Sequence, residues 1–240
     1  MEGPGSDRMD HLDFWFFCPH DIFGTTGRGI FYDAGFPAGS EVLNNVKQEI
    51  AMKILGIVCS PRKDGNTEIL VREALTAAES KGAQTELILV AEKNINPCDA
   101  CGSCVQEGTC IIDDYMQDVY QKLEEADGII FGTPVYFLNV SAQAKAVIDR
   151  TYALLRAGKL RGKVAGAVVA VRRIGGGQVL SLLYSWFTVH RMITAGGCIG
   201  YGREKGEVRD GPGGGHASTA LGEAGAIGSA VVKMINRISE

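Results

Sequence analysis

The sequence predicts an α/β fold built on a doubly wound parallel sheet of five strands. From Met52 onward, short apolar runs alternate with longer amphipathic segments, which is the pattern of strands joined by helical crossovers. The apolar runs are continuous rather than alternating, so both faces of each strand are expected to be buried. Right-handed crossovers then place helices on both faces of the sheet. The chain of 240 residues is 45% hydrophobic and 22% charged, values typical of a domain with a well-formed core.

The predicted elements alternate in order along the chain. Buried strands are predicted at residues 54–59, 85–90, 128–134, 164–171 and 198–201. Helices are predicted at residues 67–81, from Asp113 or Asp114 as the cap to about Glu125, and at 141–157, 177–194 and 216–238. In such a sheet the ligand lies beyond the carboxyl ends of the strands, where strand order reverses. The loops after the first, third and fourth strands are therefore the ones expected to carry function.

The first 51 residues differ in character from the rest. They show no sustained hydrophobic period, and they carry scattered glycines, prolines and aromatic residues. We interpret residues 1–51 as an N-terminal extension, either a leader or an arm that packs at an interface. Residues 52–240 form the predicted working domain, with a cysteine-rich loop at residues 94–113.

Composition excludes several classes of function. The net charge is −4 and no run of Lys and Arg occurs, so we expect no nucleic-acid partner. The longest apolar stretches, such as residues 164–171, are too short to cross a bilayer, so we expect no membrane partner. No basic segment precedes an apolar one near the N-terminus, so a reducing cytoplasm is the expected location. In that setting clustered cysteines indicate metal or redox chemistry more than disulfides.

The loop after the first predicted strand, SPRKDGNT, offers donors for an anion next to a helix N-terminus. The side chains and the backbone freed by glycine belong to Ser60, Arg62, Gly65, Asn66 and Thr67. The loop is too short for a Walker A motif and lacks G-x-G-x-x-G, so a single phosphate monoester fits it better than a di- or triphosphate. A capped turn without a ligand is the alternative.

The loops after the third and fourth predicted strands suit a flat ligand. TPVYFLNV places four apolar residues at a strand end, where exposure is unfavourable unless something such as a tricyclic ring covers them. These residues are Pro134, Val135, Tyr136 and Phe137. RRIGGGQ supplies two arginines and three glycines that let backbone approach a planar ligand closely. The alternatives are a loop covered by the next helix or by a second subunit, and a flexible lid.

Four of the seven cysteines fall in one short loop, CDACGSCVQEGTC. They are Cys98, Cys101, Cys104 and Cys110. Four thiolates this close together can hold a 4Fe-4S cluster, and Gly102 and Gly108 permit the tight winding. A zinc ion is the alternative occupant of this loop, although structural zinc sites usually use two separated C-x2-C pairs. Cys18, Cys59 and Cys198 are expected to be bystanders.

These motifs together resemble the iron-sulfur flavoproteins, in the NADPH-dependent FMN reductase branch of the flavodoxin-like superfamily. The resemblance rests on MKILGIVCSPRKDGNTE, the compact cysteine loop, TPVYFLNVSAQAKAVIDR and IGGGQ, and it covers about residues 52–238. It implies a flavodoxin-like fold with FMN and a 4Fe-4S cluster in each subunit. The first 50 residues have no counterpart in the family.

The resemblance also implies a role for each candidate residue. Ser60, Arg62, Gly65, Asn66 and Thr67 would surround the FMN phosphate. Pro134, Val135, Tyr136, Phe137 and Asn139 would flank the ring, with Gly175, Gly176 and Gly177 on its other side. Cys98, Cys101, Cys104 and Cys110 would ligate the cluster. The family assembles as homodimers and homotetramers.

The expected activity is therefore electron transfer by an oxidoreductase, from a ferredoxin-like donor or NAD(P)H to a small-molecule acceptor. The cofactors carry this chemistry, so no general acid or base is assigned. One alternative is an NAD(P)H-dependent FMN or quinone reductase in which the cysteine loop holds a structural metal. Another, of a different class, is a redox sensor whose cluster reports oxygen or iron.

Overall fold

The computed structural model describes residues 52–214 and 219–240, so the predicted extension at residues 1–51 lies outside the described residues. Five parallel strands form one sheet in the order β2-β1-β3-β4-β5. The strands are β1 (Lys53–Val58), β2 (Gln84–Leu89), β3 (Gly128–Pro134), β4 (Val164–Val171) and β5 (Ile193–Tyr201). This is the predicted doubly wound sheet, with the reversal of strand order between β1 and β3.

Helices cover both faces of the sheet. In chain order they are α1 (Asn66–Glu79), α2 (Ser103–Glu107), α3 (Met116–Glu125), α4 (Ala142–Arg150), α5 (Tyr152–Leu155), α6 (Gly176–Val189) and α7 (Ala220–Ser239), with a 3₁₀ turn at Glu207–Arg209 before α7. Helices α1 and α7 pack on one face, while α3 to α6 pack on the other. Within the described residues, no helix is long and apolar enough to cross a membrane.

Each strand contributes to two separate apolar cores because successive side chains point to opposite faces. In β1, Leu55 and Ile57 face the core under α3 to α6, whereas Ile54 and Val58 face the core under α1 and α7. Strand β4 is buried along its whole length. The continuous apolar runs in the sequence are explained by this burial on both faces.

Strand β5 begins earlier than the sequence predicts, at Ile193 instead of residue 198. The small residues that precede Cys198 show no strand pattern, but they pair with β4 around a register shift at Ala165/Gly166. A side chain at Gly197 would lie 2.7 Å from Leu180 Cδ2, so the glycine lets α6 pack directly on this strand. The start of β5 was missed because its small residues are selected by the close packing of α6, which cannot be inferred from the neighbouring residues in the sequence.

Two helix boundaries also differ from prediction. The predicted helix at 141–157 divides into α4 and α5 at Thr151, whose hydroxyl donates to the carbonyl of Ile148 at 2.6 Å. Such a bond competes with the regular helical pattern. Helix α6 ends at Val189 because the next residues turn into β5 through Arg191, which lies at φ 57°.

Candidate functional site

A cleft opens at the carboxyl edge of the sheet, where β1 and β3 lie side by side. Its volume is about 190 Å³. The loops after β1, β3, β4 and β5 all reach it. The lining residues are Ser60, Arg62, Gly65, Asn66, Thr67, Pro134, Val135, Tyr136, Ala170, Val171, Arg172, Gly202, Arg203 and Lys205. Eight of the thirteen residues predicted around a flavin therefore line one cleft.

The β1–α1 loop presents backbone donors to this cleft. Helix α1 begins after Gly65, and no side chain caps its first N–H groups. The loop is held by Ser60, which is buried and accepts a hydrogen bond from the Arg62 N–H at 3.1 Å. The uncapped N-terminus carries partial positive charge, and the Arg62 side chain beside it is exposed. The arrangement suits an anionic group.

Two further cations reach the cleft from the segment after β5. Arg203 and Lys205 line the same cleft as Arg62 and Arg172. Asn66 holds this segment in place, because its side-chain amide donates to the Glu204 carbonyl at 2.9 Å and accepts from the Gly206 N–H at 2.9 Å. The sequence analysis missed Arg203 and Lys205, although the signal, two basic residues directly after a strand, was present.

The loop after β3 closes on itself in a tight turn. The backbones of Tyr136 and Asn139 bond to each other at 2.9 and 3.0 Å, with Phe137 and Leu138 between them at φ 47° and 63°. Positive φ at both central residues is a type I′ geometry, which usually takes Asn and Gly. Here two bulky apolar residues adopt it, and the Phe137 side chain is fully exposed. The turn therefore projects apolar surface beside the cleft.

The three glycines after β4 do not line the cleft. Gly175 lies at φ 97° immediately before α6, and a side chain there would lie 2.9 Å from Val135 Cγ1 and 3.0 Å from Leu138 Cδ2. Gly176 packs on Ile199, while Gly177 is exposed with open space around it. Gly175 thus lets the start of α6 support the turn after β3.

Ser141, which the sequence analysis did not single out, joins the loops after β1 and β3. Its buried hydroxyl donates to the Cys59 carbonyl at 2.5 Å and accepts from the Ala144 N–H at 3.1 Å, which caps α4. Its own N–H donates to the Thr133 hydroxyl at 3.2 Å. These bonds fix the ends of two adjacent strands relative to each other, and therefore the cleft between them.

A second cavity, of about 300 Å³, is lined by all four cysteines of the cysteine loop together with residues from the end of α4 and from α5. Its walls are predominantly apolar. The loop winds through Gly102 and Gly108, which flank α2 at φ 77° and 76°, as the sequence predicts. Cys98 and Cys101 are exposed, and Cys104 and Cys110 are partly buried.

The thiols of this loop influence one another. Partial burial raises the pKa of Cys104, and the neighbouring thiols of Cys110, Cys101 and Cys98 raise it further. Among the residues that the structure describes, no group of three or more His, Cys, Asp and Glu side chains is arranged to hold a single metal ion. The four cysteines share one cavity and form no disulfides with one another.

A buried ion pair holds the base of the cysteine loop. Arg150 and Asp114 are both inaccessible to solvent and meet through two hydrogen bonds of 2.9 and 3.2 Å. Arg150 also donates to the carbonyls of Asn96 and Ile112, at 3.0 and 3.2 Å. These carbonyls lie on either side of the cysteines in the chain, so one guanidinium joins the two ends of the loop.

Asp114 has a larger role than the predicted helix cap. It does cap α3, since its carboxylate accepts from the Met116 N–H at 3.0 Å, but it also accepts from the Asn96 N–H at 2.7 Å. Burial alone would raise the pKa of Asp114, yet the bonds from Arg150 and from these two N–H groups lower it below its ordinary value. The carboxylate is therefore charged at neutral pH.

The remaining described cysteines take no part in either cavity. Cys59 and Cys198 are buried in the sheet region, where burial raises the pKa of both thiols, that of Cys198 to about 12. A neutral buried thiol behaves as a small apolar side chain. Cys18 lies outside the described residues.

Comparison with known proteins places the chain in a family. Residues 52–204 match the model of the NADPH-dependent FMN reductases. The chain is 43% identical over 169 residues to an iron-sulfur flavoprotein of Methanocaldococcus jannaschii, an alignment that covers 66% of this chain and 88% of that protein. It is 39% identical over 148 residues to an iron-sulfur flavoprotein of Methanosarcina thermophila, covering 60% and 78% of the two chains.

A solved structure supports the fold. The WrbA-like flavodoxin of Agrobacterium tumefaciens superposes with a TM-score of 0.53 at 18% identity, over 78% of this chain and 98% of that one. The range matched by the family model includes the loops after β1 and β3 and the four cysteines. The chain belongs to the iron-sulfur flavoproteins, within the NADPH-dependent FMN reductases, and is an oxidoreductase.

Proposed function

We propose that the protein binds FMN in the cleft and a 4Fe-4S cluster in the cysteine cavity, and that it transfers electrons between them. The observation that carries this proposal is the meeting of four cysteines around one apolar cavity, in a chain whose relatives are named for an iron-sulfur centre and a flavin. A flavin passes electrons singly or in pairs and a cluster passes them singly, so the two cofactors together would connect one-electron and two-electron partners.

The cleft has the donors that an FMN phosphate needs. The uncapped N-terminus of α1 supplies N–H groups, and Arg62, Arg172, Arg203 and Lys205 supply positive charge. Ser60 shapes the loop, and Asn66 holds the basic segment after β5 against the cleft. The flat ring would then lie along Pro134, Val135 and Tyr136, at the apolar end of the cleft. Of the three glycines after β4, Gly175 acts indirectly in this proposal, by supporting the turn that ends in Asn139, while Gly176 and Gly177 have no part in the cleft.

The cysteine cavity fits a cluster of several atoms. Four thiols line it, which is the number of ligands that a 4Fe-4S cluster takes, and the remaining walls are mostly apolar. One polar atom at this site is unsatisfied, since Arg150 Nε is buried without a hydrogen-bond partner. A single ion held by a closed tetrahedral set would require the thiols to converge. We therefore prefer a cluster to zinc, with Cys98, Cys101, Cys104 and Cys110 as its ligands.

The two cavities lie at opposite ends of α4. The loop before α4 lines the cleft, and Arg150 at its end lines the cysteine cavity. A helix of nine residues spans about 13 Å at a rise of 1.5 Å per residue. The β3–α4 unit therefore fixes one site relative to the other.

The proposed donors are a ferredoxin-like protein or NAD(P)H, and the proposed acceptor is a small molecule. A homodimer or homotetramer is proposed as the working form. It is supported by apolar side chains left exposed beside the cleft, with Phe137 fully exposed and Leu138 and Ile174 exposed to 48% and 67%. Exposed apolar surface of this kind is characteristic of interfaces.

The test is cofactor analysis of protein purified without oxygen. We expect a brown protein with about four iron atoms per chain, bound by the four cysteines, and one FMN. Replacement of Cys101 by Ala should remove most of the iron and spare the FMN, because Cys101 lines only the cysteine cavity. Metal analysis and absorption spectroscopy measure both outcomes.

Cys198→Ala is the matched control, since it removes a buried thiol that lies outside the cavity. This variant should keep both cofactors. A wild-type protein that contains zinc and no iron would contradict the assignment of a cluster and favour a reductase with a structural metal. The redox sensor would be favoured by a protein that binds both cofactors but shows little turnover with any donor tested. Its affinity for a partner would also have to change with the state of the cluster.

A further inference from the structure

Arg150 is an unusual residue to find in the interior of the molecule. It lies at the end of α4, its side chain is inaccessible to solvent, and it forms part of the wall of the cysteine cavity. Burial of a guanidinium is unfavourable unless a counter-charge and hydrogen bonds compensate for the lost hydration. A buried arginine in this position therefore calls for an account of all its donors.

Most of these donors have partners within the protein. Nη1 donates to Asp114 and to the Asn96 carbonyl, and Nη2 donates to Asp114 and to the Ile112 carbonyl. The carboxylate of Asp114 balances the charge of Arg150. Nε is left over: it is buried and has no hydrogen-bond partner. A buried donor without a partner loses its hydration and gains no bond in return, so native proteins seldom leave one.

The acceptors near this atom narrow the choice of partner. Two carboxylates also line the cysteine cavity, but Asp149 pairs with Lys145 at 2.6 Å and Asp99 accepts from the Cys101 N–H at 3.2 Å. Apart from Arg150 itself, the other polar side-chain groups of the cavity wall are the hydroxyl of Tyr152, a residue that is 49% exposed and can bond to water, and the four cysteine sulfurs. Sulfur in thiolates and clusters accepts hydrogen bonds, and such bonds are among the factors that set a cluster's reduction potential.

We infer that Arg150 is a positioning residue for the iron-sulfur cluster, and that its Nε–H donates to a sulfur atom of the cluster or of a ligating cysteine. This inference rests on the proposed function. The two Nη atoms of Arg150 are held by Asp114 and join the two ends of the loop. The same bonds orient Nε. A donor to sulfur favours the more negative, reduced form of the cluster, so the reduction potential is higher with it than without it.

The first test replaces Arg150 with Lys. Lysine keeps the positive charge but has neither Nε–H nor the planar fork. We expect the cluster of Arg150→Lys to have a more negative midpoint potential than that of the wild type, measured by redox titration followed by electron paramagnetic resonance. Arg156→Lys is the control, because it makes the same change at an arginine that donates to the Val105 backbone carbonyl at 3.1 Å and does not line the cavity. Its midpoint potential should match the wild type.

The second test needs no variant at Arg150, so it remains decisive if Arg150→Lys fails to fold. Protein is prepared with arginine labelled by ¹⁵N at Nε, and the coupling of that nucleus to the reduced cluster is measured by electron spin-echo spectroscopy. We expect a resolved ¹⁵N coupling. Within the part of the chain that the structure describes, Arg156 also contacts the loop, since it donates to the Val105 carbonyl at 3.1 Å. The coupling should therefore persist in labelled Arg156→Lys.

The outcomes separate this inference from the proposed function. Iron in the wild type without a ¹⁵N coupling, or an unchanged potential in a folded Arg150→Lys, overturns the role of Nε and leaves the cluster standing. A coupling that disappears in Arg156→Lys transfers the role to Arg156 and also overturns it. A wild type without iron overturns both.

Discussion

At the scale of single residues, the cleft is defined by positive charge drawn from distant parts of the chain. Arg62 follows β1 and Arg172 follows β4, while Arg203 and Lys205 follow β5. Lys205 is partly neutralised by Asp64 at 3.4 Å. Arg203 has no side-chain ion pair among the residues that the structure describes, although its backbone N–H donates to the Glu207 carboxylate. Arg203 is therefore free to meet a phosphate.

This leads to a prediction about FMN affinity. Arg203→Ala should weaken FMN binding by about 1–2 kcal/mol, roughly 5–30-fold in Kd, because a charge-assisted bond to the phosphate is lost from an exposed position. Arg62→Ala should weaken it by a similar or larger amount, on the order of 1.5–3 kcal/mol. Quenching of flavin fluorescence during titration of the apoprotein measures the Kd.

Lys63→Ala provides the control for net charge. Lys63 is next to Arg62 in the sequence but pairs with Glu92 at 2.5 Å and does not line the cleft. It should leave the Kd nearly unchanged at moderate ionic strength, since screening weakens the long-range part of the charge effect. If the Lys63 and Arg203 variants lost equal FMN affinity, the overall charge of the protein, not the position of Arg203, would explain the weaker binding.

At the scale of elements, the fold depends on a close contact between the first and last helices. Helices α1 and α7 cover the same face of the sheet. At their crossing, a side chain on Gly228 would overlap the backbone of Ala74, 2.7 Å from its carbonyl carbon and closer to its oxygen. Because backbone cannot move aside as a flexible side chain can, the glycine sets the distance between the two helices.

We therefore predict that Gly228→Ala destabilises the protein. Overpacking of this kind costs about 1–3 kcal/mol, which outweighs the gain of up to about 1 kcal/mol from better helix propensity. Gly225→Ala in the same helix is the matched control, because its new side chain would meet Ala77 Cβ at 3.7 Å, an ordinary contact. It should be neutral or stabilising. Chemical denaturation gives the free energy of unfolding of each variant. Equal free energies for the two variants would contradict the packing argument.

At the scale of the whole molecule, the core under α3 to α6 contains a buried polar network. The Thr151 hydroxyl receives the Trp186 Nε1–H at 3.0 Å and lies 3.0 Å from His190 Nε2. Since the hydroxyl hydrogen is directed to the Ile148 carbonyl, His190 must carry its proton on Nε2. Burial lowers the pKa of His190, so the ring is neutral at pH 7 in the folded protein. This network lies between α4, α5 and α6.

The network gives the stability of the protein a defined pH dependence. Below about pH 6.5 the unfolded chain binds a proton at this histidine and the folded chain does not, so the free energy of unfolding falls as pH falls toward the lowered folded pKa. His190→Gln retains an N–H donor and cannot titrate. The loss of thermal stability between about pH 6.5 and 5 should therefore be smaller in the variant. Identical slopes in the two proteins would exclude His190 as the titrating group.

The sequence predicted the repeating elements well and the loops between them unevenly. Residues 128–134 and 164–171 were predicted as strands with the bounds that the structure shows, because strands buried on both faces carry a continuous apolar run. Asp113 or Asp114 was predicted to cap a helix, and the Asp114 carboxylate accepts a hydrogen bond from the Met116 N–H at the start of α3. Its ion pair with Arg150 was not predicted, since 36 residues separate the two and no local pattern connects them.

The sequence by itself determined the fold class, the cysteine loop and the β1–α1 loop, because each is encoded in residues that are neighbours along the chain. Only the tertiary structure decided which distant residues share a site. It placed Arg203 and Lys205 in the cleft, packed Gly175 against the turn after β3 and outside the cleft, and set Arg150 against the cysteine cavity. The physical reason is that parallel strands bring their carboxyl ends together whatever their separation in sequence, while a buried charge is recognised only when its partners are known.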